Sequence, residues 1–309
     1  MRWLLVPLVL VACGDSSSTP RDATPDEAIA DAFVPCSALG ECAWLTGYQH
    51  RIVSTLGGTE EIAPGVLLLH RASIAERDFA RTFLVDEFEA LSIPVSSVPY
   101  SFDGRNGSNI IATLPPTDAA NASAPAILVG AHFDGVPAGP GAADNATGVA
   151  IVLASARFLS TLPRARPIIF ALFDQEELGL IGSRAYALSL ATAGTPLRGV
   201  HIFDMLAWDS DGDRTVELWS PSAALETLYR THGPAAGTPI TSVIFSSSDH
   251  KAFLDQNFPA VGIGEEFLGG DRTPHYHRVT DTVENVNFEH LTTVTRLVFA
   301  VLEADSAAP

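Results

Sequence analysis

The sequence is poor in charged residues, and the charges that it has are mostly of one sign. Only 17% of its 309 residues are charged, whereas 47% are hydrophobic, and 18 Lys plus Arg stand against 36 Asp plus Glu. A disordered acidic chain combines high charge with low hydrophobicity, so this composition excludes bulk disorder. The net charge of −18 argues against a DNA or RNA partner, because phosphate binding needs clustered Lys and Arg.

Long apolar runs are scarce as well. The first run covers residues 3–12 and follows Arg2. It is too short for a bilayer span, which needs about 20 residues, and it fits the core of a signal peptide. No later stretch reaches the roughly 18 uninterrupted apolar residues of a membrane helix, so we expect no second span.

The first apolar run ends in Leu10-Val11-Ala12-Cys13. This tetrapeptide resembles the lipobox of bacterial lipoproteins, in which the Cys is acylated and becomes the mature N-terminus. The alternative is an ordinary secretory signal in which Cys13 is incidental. Ser, Thr, Pro and Asp dominate the residues that follow, as is typical of a solvated spacer. We therefore expect export to the cell envelope, at the outer membrane or facing the periplasm, with a lipid anchor at Cys13.

Cysteine is the third scarce residue, with three in the chain. If Cys13 is lipidated, Cys36 and Cys42 remain, and a local disulfide is their plausible use in an exported protein. Zinc binding by this pair alone is disfavoured, because two thiolates do not complete a tetrahedral site. We see no internal repeat and no second linker. The expected organisation is a signal peptide over residues 1–12, the lipidated Cys and a flexible acidic tether over 13–38, and one domain over 39–309.

Short apolar runs alternate with helical patterns through the rest of the chain. The runs at residues 126–131, 167–173, 200–203 and 259–264 are continuously apolar, which predicts strands covered on both faces. Helical spacing predicts helices over residues 75–91, 146–159 and 288–303. Ser220-Pro221 has the form of an N-cap and first helical residue, which predicts a helix through Tyr229. This alternation predicts an α/β protein, a three-layer α/β/α sandwich with a central mixed, mostly parallel sheet.

Acids and histidines follow each of the four apolar runs. In open α/β sheets, ligands bind outside the carboxyl ends of the strands, so segments far apart in sequence converge on one cleft. Any one cluster alone is usually a solvated surface or a satisfied core His. Together they indicate a metal or catalytic site. The clusters are His132-Phe133-Asp134, residues 174–177, Asp204, and Glu265-Glu266 followed by His275-Tyr276-His277.

Five stretches resemble, in their order along the chain, those of the zinc aminopeptidases of the M28 type. They are HFDGVPAGPGAADNATG, FDQEELGLIGS, DM, SSDHKAF and HYHRVTDTVEN, within roughly residues 108–303. The combination is specific, although no single piece is. The resemblance implies two Zn²⁺ per chain and the removal of N-terminal residues from peptides. Water would be the nucleophile, so no acyl-enzyme would form, and residues 39–309 would be the zinc-peptidase catalytic domain.

The resemblance also implies a role for each residue of the site. The two ligand sets share one carboxylate, which would offset the repulsion between two dications about 3.5–4 Å apart. Imidazole and carboxylate ligands suit zinc. The implied ligands are His132 and Asp204 for the first zinc, Glu177 and His277 for the second, and Asp144 as the bridge. The other roles are Glu176 as general base, Asp134 as the carboxylate that orients His132, and Tyr276 as the hydroxyl donor to the oxyanion.

Other polar groups receive weaker predictions. Residues 248–250 (Ser-Asp-His) match a recurrent motif of the family and are expected to support the cleft rather than to bind metal. A Ser-His-Asp triad is the competing interpretation, but the chain has no G-x-S-x-G nucleophile elbow. Residues 209–213 resemble the start of an EF-hand loop, but Arg214 and Ser220 break the pattern, which leaves a polar turn. Asp281-Thr282 and Asn285 are expected to hold the His277 loop. Either Glu265 or Glu266 is a candidate neighbour of the substrate amine.

Three other functions remain open on the same fold. A glutaminyl cyclase is an acyltransferase that uses one zinc, and a carboxypeptidase would differ in pocket residues that the sequence does not identify. Residues 144–148 (DNATG) resemble the aminopeptidase form of the bridging motif better than the cyclase form. The third possibility, a catalytically silent binding module, is disfavoured because no implied ligand position departs from the pattern, nor does Glu176.

Overall fold

The computed structural model describes residues 36–40 and 42–307, so the predictions made for residues 1–35, including Cys13, lie outside the described residues. The strands are β1 (Val95–Phe102), β2 (Arg105–Leu114), β3 (Ala126–His132), β4 (Ile168–Phe173), β5 (Leu197–Phe203), β6 (Val216–Trp219), β7 (Ile240–Val243) and β8 (Ala260–Gly264). The α-helices are α1 (Leu45–Leu56), α2 (Ile74–Ala90), α3 (Thr147–Ser160), α4 (Ile181–Ala193), α5 (Ala223–Ala236), α6 (His250–Leu254) and α7 (Phe288–Ala307).

All eight strands form one sheet in the order β1-β2-β4-β3-β5-β8-β6-β7. The four central strands β4, β3, β5 and β8 run parallel, as do β6 and β7. The remaining pairs, β1 with β2, β2 with β4 and β6 with β8, are antiparallel. The predicted mixed, mostly parallel sheet is therefore confirmed. Because the central strands are parallel, their carboxyl ends meet at one edge of the sheet.

The sheet is covered by helices on both faces. Side chains alternate along β3 and β4, so that Val129 and Phe170 enter one core while Leu128 and Ile169 enter the other. Residues of α1, α2, α3, α5 and α7 line the first core, and residues of α4 and α6 line the second. Continuous apolar runs are the expected sequence of strands buried on both sides. The three-layer α/β/α architecture is confirmed.

Helix boundaries agree with the sequence patterns to within one residue for α2 and α3, and α7 begins at Phe288 as predicted but continues four residues past 303 to Ala307. Ser73 begins α2 as its N-cap, because its hydroxyl accepts a hydrogen bond from the Glu76 amide at 3.3 Å. The Ser73 hydroxyl also donates to the Glu76 carboxylate at 2.6 Å. None of the helices in the described part of the chain combines the length and apolar character that crossing a bilayer requires.

The predicted start and end of the helix after β6 are wrong. Helix α5 begins at Ala223 behind Ser222, two residues later than the Ser220-Pro221 pattern suggested. Ser220 instead adopts a left-handed conformation with φ 44°, and its hydroxyl donates to the Phe245 carbonyl at 2.7 Å. This contact with a distant segment replaces the local cap. The helix also continues beyond Tyr229 to Ala236.

The described chain begins with a disulfide between Cys36 and Cys42, as predicted. Their Cα atoms lie 4.8 Å apart, and Cys42 is buried in the first core. Cys36 packs against the same core. The bridge therefore fastens the start of the described chain to the layer that contains α1.

We expect both thiols to resist alkylation in the unfolded, unreduced protein. The chain has no Lys or Arg between Arg21 and Arg51, so trypsin releases both cysteines in one peptide, residues 22–51. Mass spectrometry should find this peptide without label, whereas prior reduction should allow both cysteines to react. Labelling without reductant would contradict the bridge.

His250 opens α6 and lies fully buried against the aromatic ring of Trp219. Its Nε2 faces the Phe245 carbonyl oxygen at 3.0 Å, so the neutral ring donates from this nitrogen. Burial lowers the pKa of His250 from 6.5 to about 4, against a smaller upward effect of the Phe245 carbonyl. The folded protein therefore keeps this imidazole neutral in conditions under which the unfolded chain protonates it.

This difference predicts a loss of stability in mild acid. Above pH 6.5 His250 is neutral in both states, and between pH 6.5 and 4 only the unfolded state binds the proton, so the unfolding free energy falls. The shift corresponds to about 2–3 kcal/mol by pH 4.5. Urea unfolding in excess chelator should show that His250→Gln, which retains a donor, loses less stability between pH 7 and 4.5 than the unchanged protein. Equal losses of unfolding free energy in His250→Gln and in the unchanged protein would contradict the lowered pKa of His250.

Candidate metal centre

The candidate site lies at the carboxyl edge of the parallel strands. His132 is the last residue of β3, Glu176 and Glu177 follow β4, and Asp204 directly follows β5. The two other implied ligands lie in long connections, Asp144 between β3 and α3 and His277 between β8 and α7. The structure thus brings together side chains that are up to 145 residues apart in sequence (277 − 132 = 145).

One group of possible ligands surrounds the His132 ring. Its Nε2 lies 3.3 Å from Oδ1 of Asp144 and 3.5 Å from Oδ1 of Asp204. All three side chains are almost fully buried, with 2% of His132, 5% of Asp144 and 6% of Asp204 exposed. They therefore form a compact cluster of one imidazole and two carboxylates, which could hold a metal ion.

A second group surrounds the His277 ring. Its Nε2 lies 3.3 Å from Oδ2 of Asp144 and 3.0 Å from Oε2 of Glu177. The two oxygens of Asp144 therefore face different groups, Oδ1 toward His132 and Oδ2 toward His277. Asp144 is the residue that these two groups share. This is the placement that the implied bridge requires. A third possible ligand group joins His132 to Glu176 and Glu177.

The spacing of these atoms fits zinc better than a set of ion pairs. Charge-assisted N–H···O bonds are about 2.7–2.9 Å long, shorter than the 3.0–3.5 Å found here. Ligand atoms at about 2.0–2.2 Å from a tetrahedral Zn²⁺ are about 3.3–3.6 Å apart, a range that holds three of the four distances but not the 3.0 Å between His277 and Glu177. In addition, Oδ1 of Asp204 and Oε1 of Glu177 are buried and have no hydrogen-bond partner within the described part of the chain. The donors present therefore fit metal ions of the zinc type.

Asp134 connects the first group to the loop that carries both glutamates. Its Oδ1 lies 3.5 Å from Nδ1 of His132, on the side of the ring that faces away from Asp144. The same oxygen accepts a hydrogen bond from the Glu176 amide at 2.9 Å, and Oδ2 accepts one from the Glu177 amide at 3.3 Å. One carboxylate thus lies beside the His132 imidazole and accepts two hydrogen bonds from the backbone after β4.

Asp144 is held by groups on other segments. The Asp281 carboxylate accepts hydrogen bonds from the Ala143 amide at 2.7 Å and the Asp144 amide at 3.0 Å. The peptide bond that follows Asp144 is cis, and the Asn145 side chain donates to the Phe203 carbonyl beside Asp204. Asp281 was expected to hold the His277 loop, and the structure shows that it also holds the Asp144 backbone.

As expected from the sequence, Ser248 makes a hydrogen bond to the implied ligand Asp204, and Asn285 makes one to the segment after the implied ligand His277. The Ser248 hydroxyl donates to Oδ2 of Asp204 at 2.7 Å, which leaves Oδ1 directed toward His132. The Asn285 side chain donates to the Thr280 carbonyl at 2.9 Å, within the segment that follows His277. Both contacts restrain a ligand without contributing one.

The electrostatics of the two groups are dominated by carboxylates. Burial alone would lower the pKa of His132, but the charges of Glu176 and Asp204 raise it well above its usual value. Hydrogen bonds to Asp144 and Glu177 raise the pKa of His277 to about 10. Burial would raise the pKa of Asp144, yet its bonds to the two imidazoles lower it. This concentration of negative charge favours a bound cation, whether proton or metal.

Both glutamates after β4 have a raised pKa, chiefly because they are buried. For Glu176 the charges of Asp249 and Asp204 add to the effect of burial and raise the pKa well above the usual range, despite the opposing effect of His132. Glu176 lines the same cleft as the two candidate ligand groups. A carboxyl group with a raised pKa is suited to accept a proton and then release it.

A cleft opens onto the two groups. The Tyr276 ring stacks on the His277 imidazole with centroids 3.8 Å apart, and Tyr276 lines the same cleft. Burial, followed by nearby carboxylates, raises the pKa of Tyr276, so this hydroxyl stays protonated. The apolar part of the wall comes from the carboxyl ends of four strands, and apart from Met205 in the DM stretch, sequence patterns did not point to it. Trp219 is the last residue of β6, and Met205, Phe245 and Phe267 follow β5, β7 and β8.

The remaining acidic residues that the sequence analysis singled out do not line the cleft. Glu265 is fully buried and accepts hydrogen bonds from the amides of Trp208 and Thr273, and burial raises its pKa. Neither Glu265 nor Glu266 lines the cleft wall. The segment 209–213 is a polar turn in which Oδ1 of Asp209 accepts from the Arg214 amide at 3.2 Å. Its carboxylates lie close to Asp271 rather than to His132 or His277.

Two curated relatives show sequence similarity to this chain. The probable lipoprotein aminopeptidase LpqL of Mycobacterium tuberculosis is 31% identical over 230 residues, covering 63% of this chain and 44% of the relative. Leucine aminopeptidase 2 of Trichophyton rubrum is 28% identical over 316 residues, covering 93% and 58%. The chain thus spans about half the length of these relatives.

Solved structures share the fold. The LapA aminopeptidase of Legionella pneumophila aligns with a TM-score of 0.75 at 20% identity, over 94% of this chain and 79% of that one. The zinc aminopeptidase BSAP of Bacillus subtilis gives 0.75 at 16% identity, over 86% and 96%. The glutaminyl cyclase of Bacteroides thetaiotaomicron gives 0.67 at 17% identity, over 84% and 97%.

The model of one protein family matches residues 109–302, which is most of the chain and includes every implied ligand. The match begins within β2 and ends within α7, so it covers the central parallel strands and the loops at their carboxyl ends. The site geometry and this match agree, and the chain belongs to peptidase family M28.

Proposed function

We propose that this protein is a dizinc aminopeptidase that removes N-terminal residues from peptides. One observation carries the proposal: the two oxygens of Asp144 face two separate groups, each completed by one histidine and one further carboxylate. A site for a single metal has no need of a shared carboxylate. The names of the related aminopeptidases support the same reaction.

His132, Asp144 and Asp204 would hold one zinc ion, and Asp144, Glu177 and His277 the other. Zinc ions bound in this way supply Lewis-acid chemistry, which lowers the pKa of water and polarises a peptide carbonyl. Asp134 orients His132 from the far side of the ring, so its role is to position a ligand.

Glu176 would be the general base. Its amide is bonded to Asp134, which fixes the backbone, and its side chain belongs to the cleft wall. It would accept a proton from the attacking water and deliver it to the leaving amine, for which a raised pKa is suitable. Tyr276, protonated and packed on His277, would donate its hydroxyl hydrogen to the developing oxyanion.

The setting of the enzyme is part of the proposal. Residues 1–12 would be the signal peptide, Cys13 the lipid anchor and residues 13–38 the acidic tether of the catalytic domain over residues 39–309. A relative described as a probable lipoprotein aminopeptidase supports export of this kind. The anchored enzyme would then act on peptide or protein N-termini in the cell envelope.

Hydrolysis of a substrate panel tests the reaction class and the metal together. We expect release of N-terminal residues from free aminoacyl substrates and no reaction with N-blocked ones, because an aminopeptidase requires a free α-amine. Excess chelator should abolish turnover, and metal analysis should approach two zinc per chain. One tightly bound zinc together with cyclisation of N-terminal glutamine would favour the cyclase. Release of C-terminal residues would favour the carboxypeptidase.

Replacing Glu176 with Gln tests the general base. The amide keeps the shape of the side chain but does not take up the proton, so we expect kcat to fall by about 10²–10⁴-fold. Zinc content should stay unchanged, since Glu176 is not assigned as a ligand. Glu89→Gln, at an exposed position on α2, is the matched control and should retain full activity. An unchanged rate in Glu176→Gln would remove this residue from the reaction.

A further inference from the structure

Arg71 is a fully buried cation in the connection between α1 and α2, outside the part of the chain that matches the family model. Each of its hydrogen bonds goes to a backbone carbonyl. Nε donates to Phe133 at 2.7 Å, Nη1 to Leu56 at 2.8 Å and Pro140 at 2.7 Å, and Nη2 to Gly141 at 2.9 Å and Asp144 at 3.4 Å. A guanidinium has five N–H donors, so all of them are used.

Four of these five carbonyls belong to residues 133–144, the segment that joins His132 to Asp144. The backbone carbonyl of Arg71 accepts a further bond from the Gly135 amide at 3.3 Å. Arg71 therefore bonds to the start and the end of this segment, which we call the bridge loop. The bridge loop begins directly after His132, the proposed ligand of the first metal, and ends at Asp144, the proposed ligand shared by both.

The bridge loop also touches the segment that follows His277. At Gly139 it approaches so closely that an added Cβ would lie 2.1 Å from the Arg278 carbonyl oxygen. The Ala142 amide donates to the Asp281 carbonyl at 3.2 Å. A displacement of the bridge loop would therefore reach both metal groups.

The charge of Arg71 does not serve an ion pair. Burial lowers the pKa of Arg71 and the charges of Asp281 and Asp144 raise it, but no carboxylate accepts a hydrogen bond from it among the described residues. A guanidinium remains protonated under such conditions. Its planar fork supplies donors in five fixed directions, which a lysine ammonium with three donors on one atom does not reproduce.

From these contacts we propose that Arg71 is a positioning residue of the metal centre, which holds the bridge loop so that His132 and Asp144 are preformed to bind zinc. The proposal rests on the proposed dizinc function and extends it to a residue outside the family match. Arg71 itself touches neither metal nor substrate. Its effect passes through the backbone of the loop that bears the ligands.

Arg71→Lys is the first test, because lysine keeps the positive charge but lacks the planar, forked set of five donors. We expect zinc affinity, measured by competition with a chromophoric chelator, to fall by about 10–100-fold, with a similar fall in kcat and little change in KM. Arg51→Lys, on the exposed side of α1 in an ion pair with Glu87, is the matched control and should bind zinc as the unchanged protein does. Circular dichroism with chelator present reports whether the metal-free fold is retained.

Gly141→Ala disturbs the hydrogen bonds between Arg71 and the bridge loop from the loop side. It is the alternative test if Arg71→Lys does not fold. Gly141 has φ +72°, and an added Cβ would lie 2.9 Å from Nη2 of Arg71 and 2.5 Å from the Asp144 carbonyl oxygen. Gly104→Ala is its control, because Gly104 also has φ +72° but an added Cβ would meet nothing within 4 Å. We expect weakened zinc binding in Gly141→Ala and normal zinc binding in Gly104→Ala.

The outcomes separate this proposal from the proposed function. If the unchanged protein binds no zinc, the proposed dizinc function itself is wrong. If it binds two zinc ions and a folded Arg71→Lys binds them with the same affinity, Arg71 is structural only and the positioning role is overturned. Equal zinc affinities in Gly141→Ala and Gly104→Ala would overturn it in the same way, whatever happens to their thermal stability.

Discussion

Repulsion between buried carboxylates is the constraint on which the rest of this structure depends. Five acidic side chains share one small region at the edge of the sheet, and like charges in a low-dielectric environment are costly unless cations or donors face them. Two imidazoles and several backbone amides supply part of this compensation. Two zinc ions would supply the remainder. The acids are Asp134, Asp144, Glu176, Glu177 and Asp204.

The ligands differ in how the fold positions them. His132 and Asp204 lie at the ends of buried strands, so the sheet itself fixes their backbone. Asp144 and His277 lie in long connections, and their positions depend on contacts between segments. Asp281 binds the amide of Asp144, and Arg71 binds the carbonyls around it. Asp144, the carboxylate proposed to be shared, is therefore held by contacts from two other segments of the chain.

Residues that precede the segment matched by the family model, which begins at residue 109, also make contacts that support the site. Arg71 reaches the loop between β3 and α3, and two further arginines of α2 reach the loop after β4. Nε of Arg77 lies 2.7 Å from Oδ1 of the buried Asp174, and Nη2 of Arg81 lies 3.3 Å from its Oδ2. Asp174 directly precedes the segment that bears Glu176 and Glu177. Guanidinium groups suit this task because each makes several directional bonds at once.

The sequence by itself determined the three-layer architecture, the four central strands and the residues that meet at their ends, because continuous apolar runs and strand-end acids are local patterns. It did not indicate β1, β2, β6 or β7, which carry no long apolar run, nor the cap of α5, where Ser220 bonds to distant Phe245 instead. The hydrogen bonds between Arg71 and the bridge loop, and the apolar cleft wall that contains Trp219, were decided by tertiary structure alone. Both consist of contacts between segments far apart in the chain, and no spacing within one segment encodes such contacts.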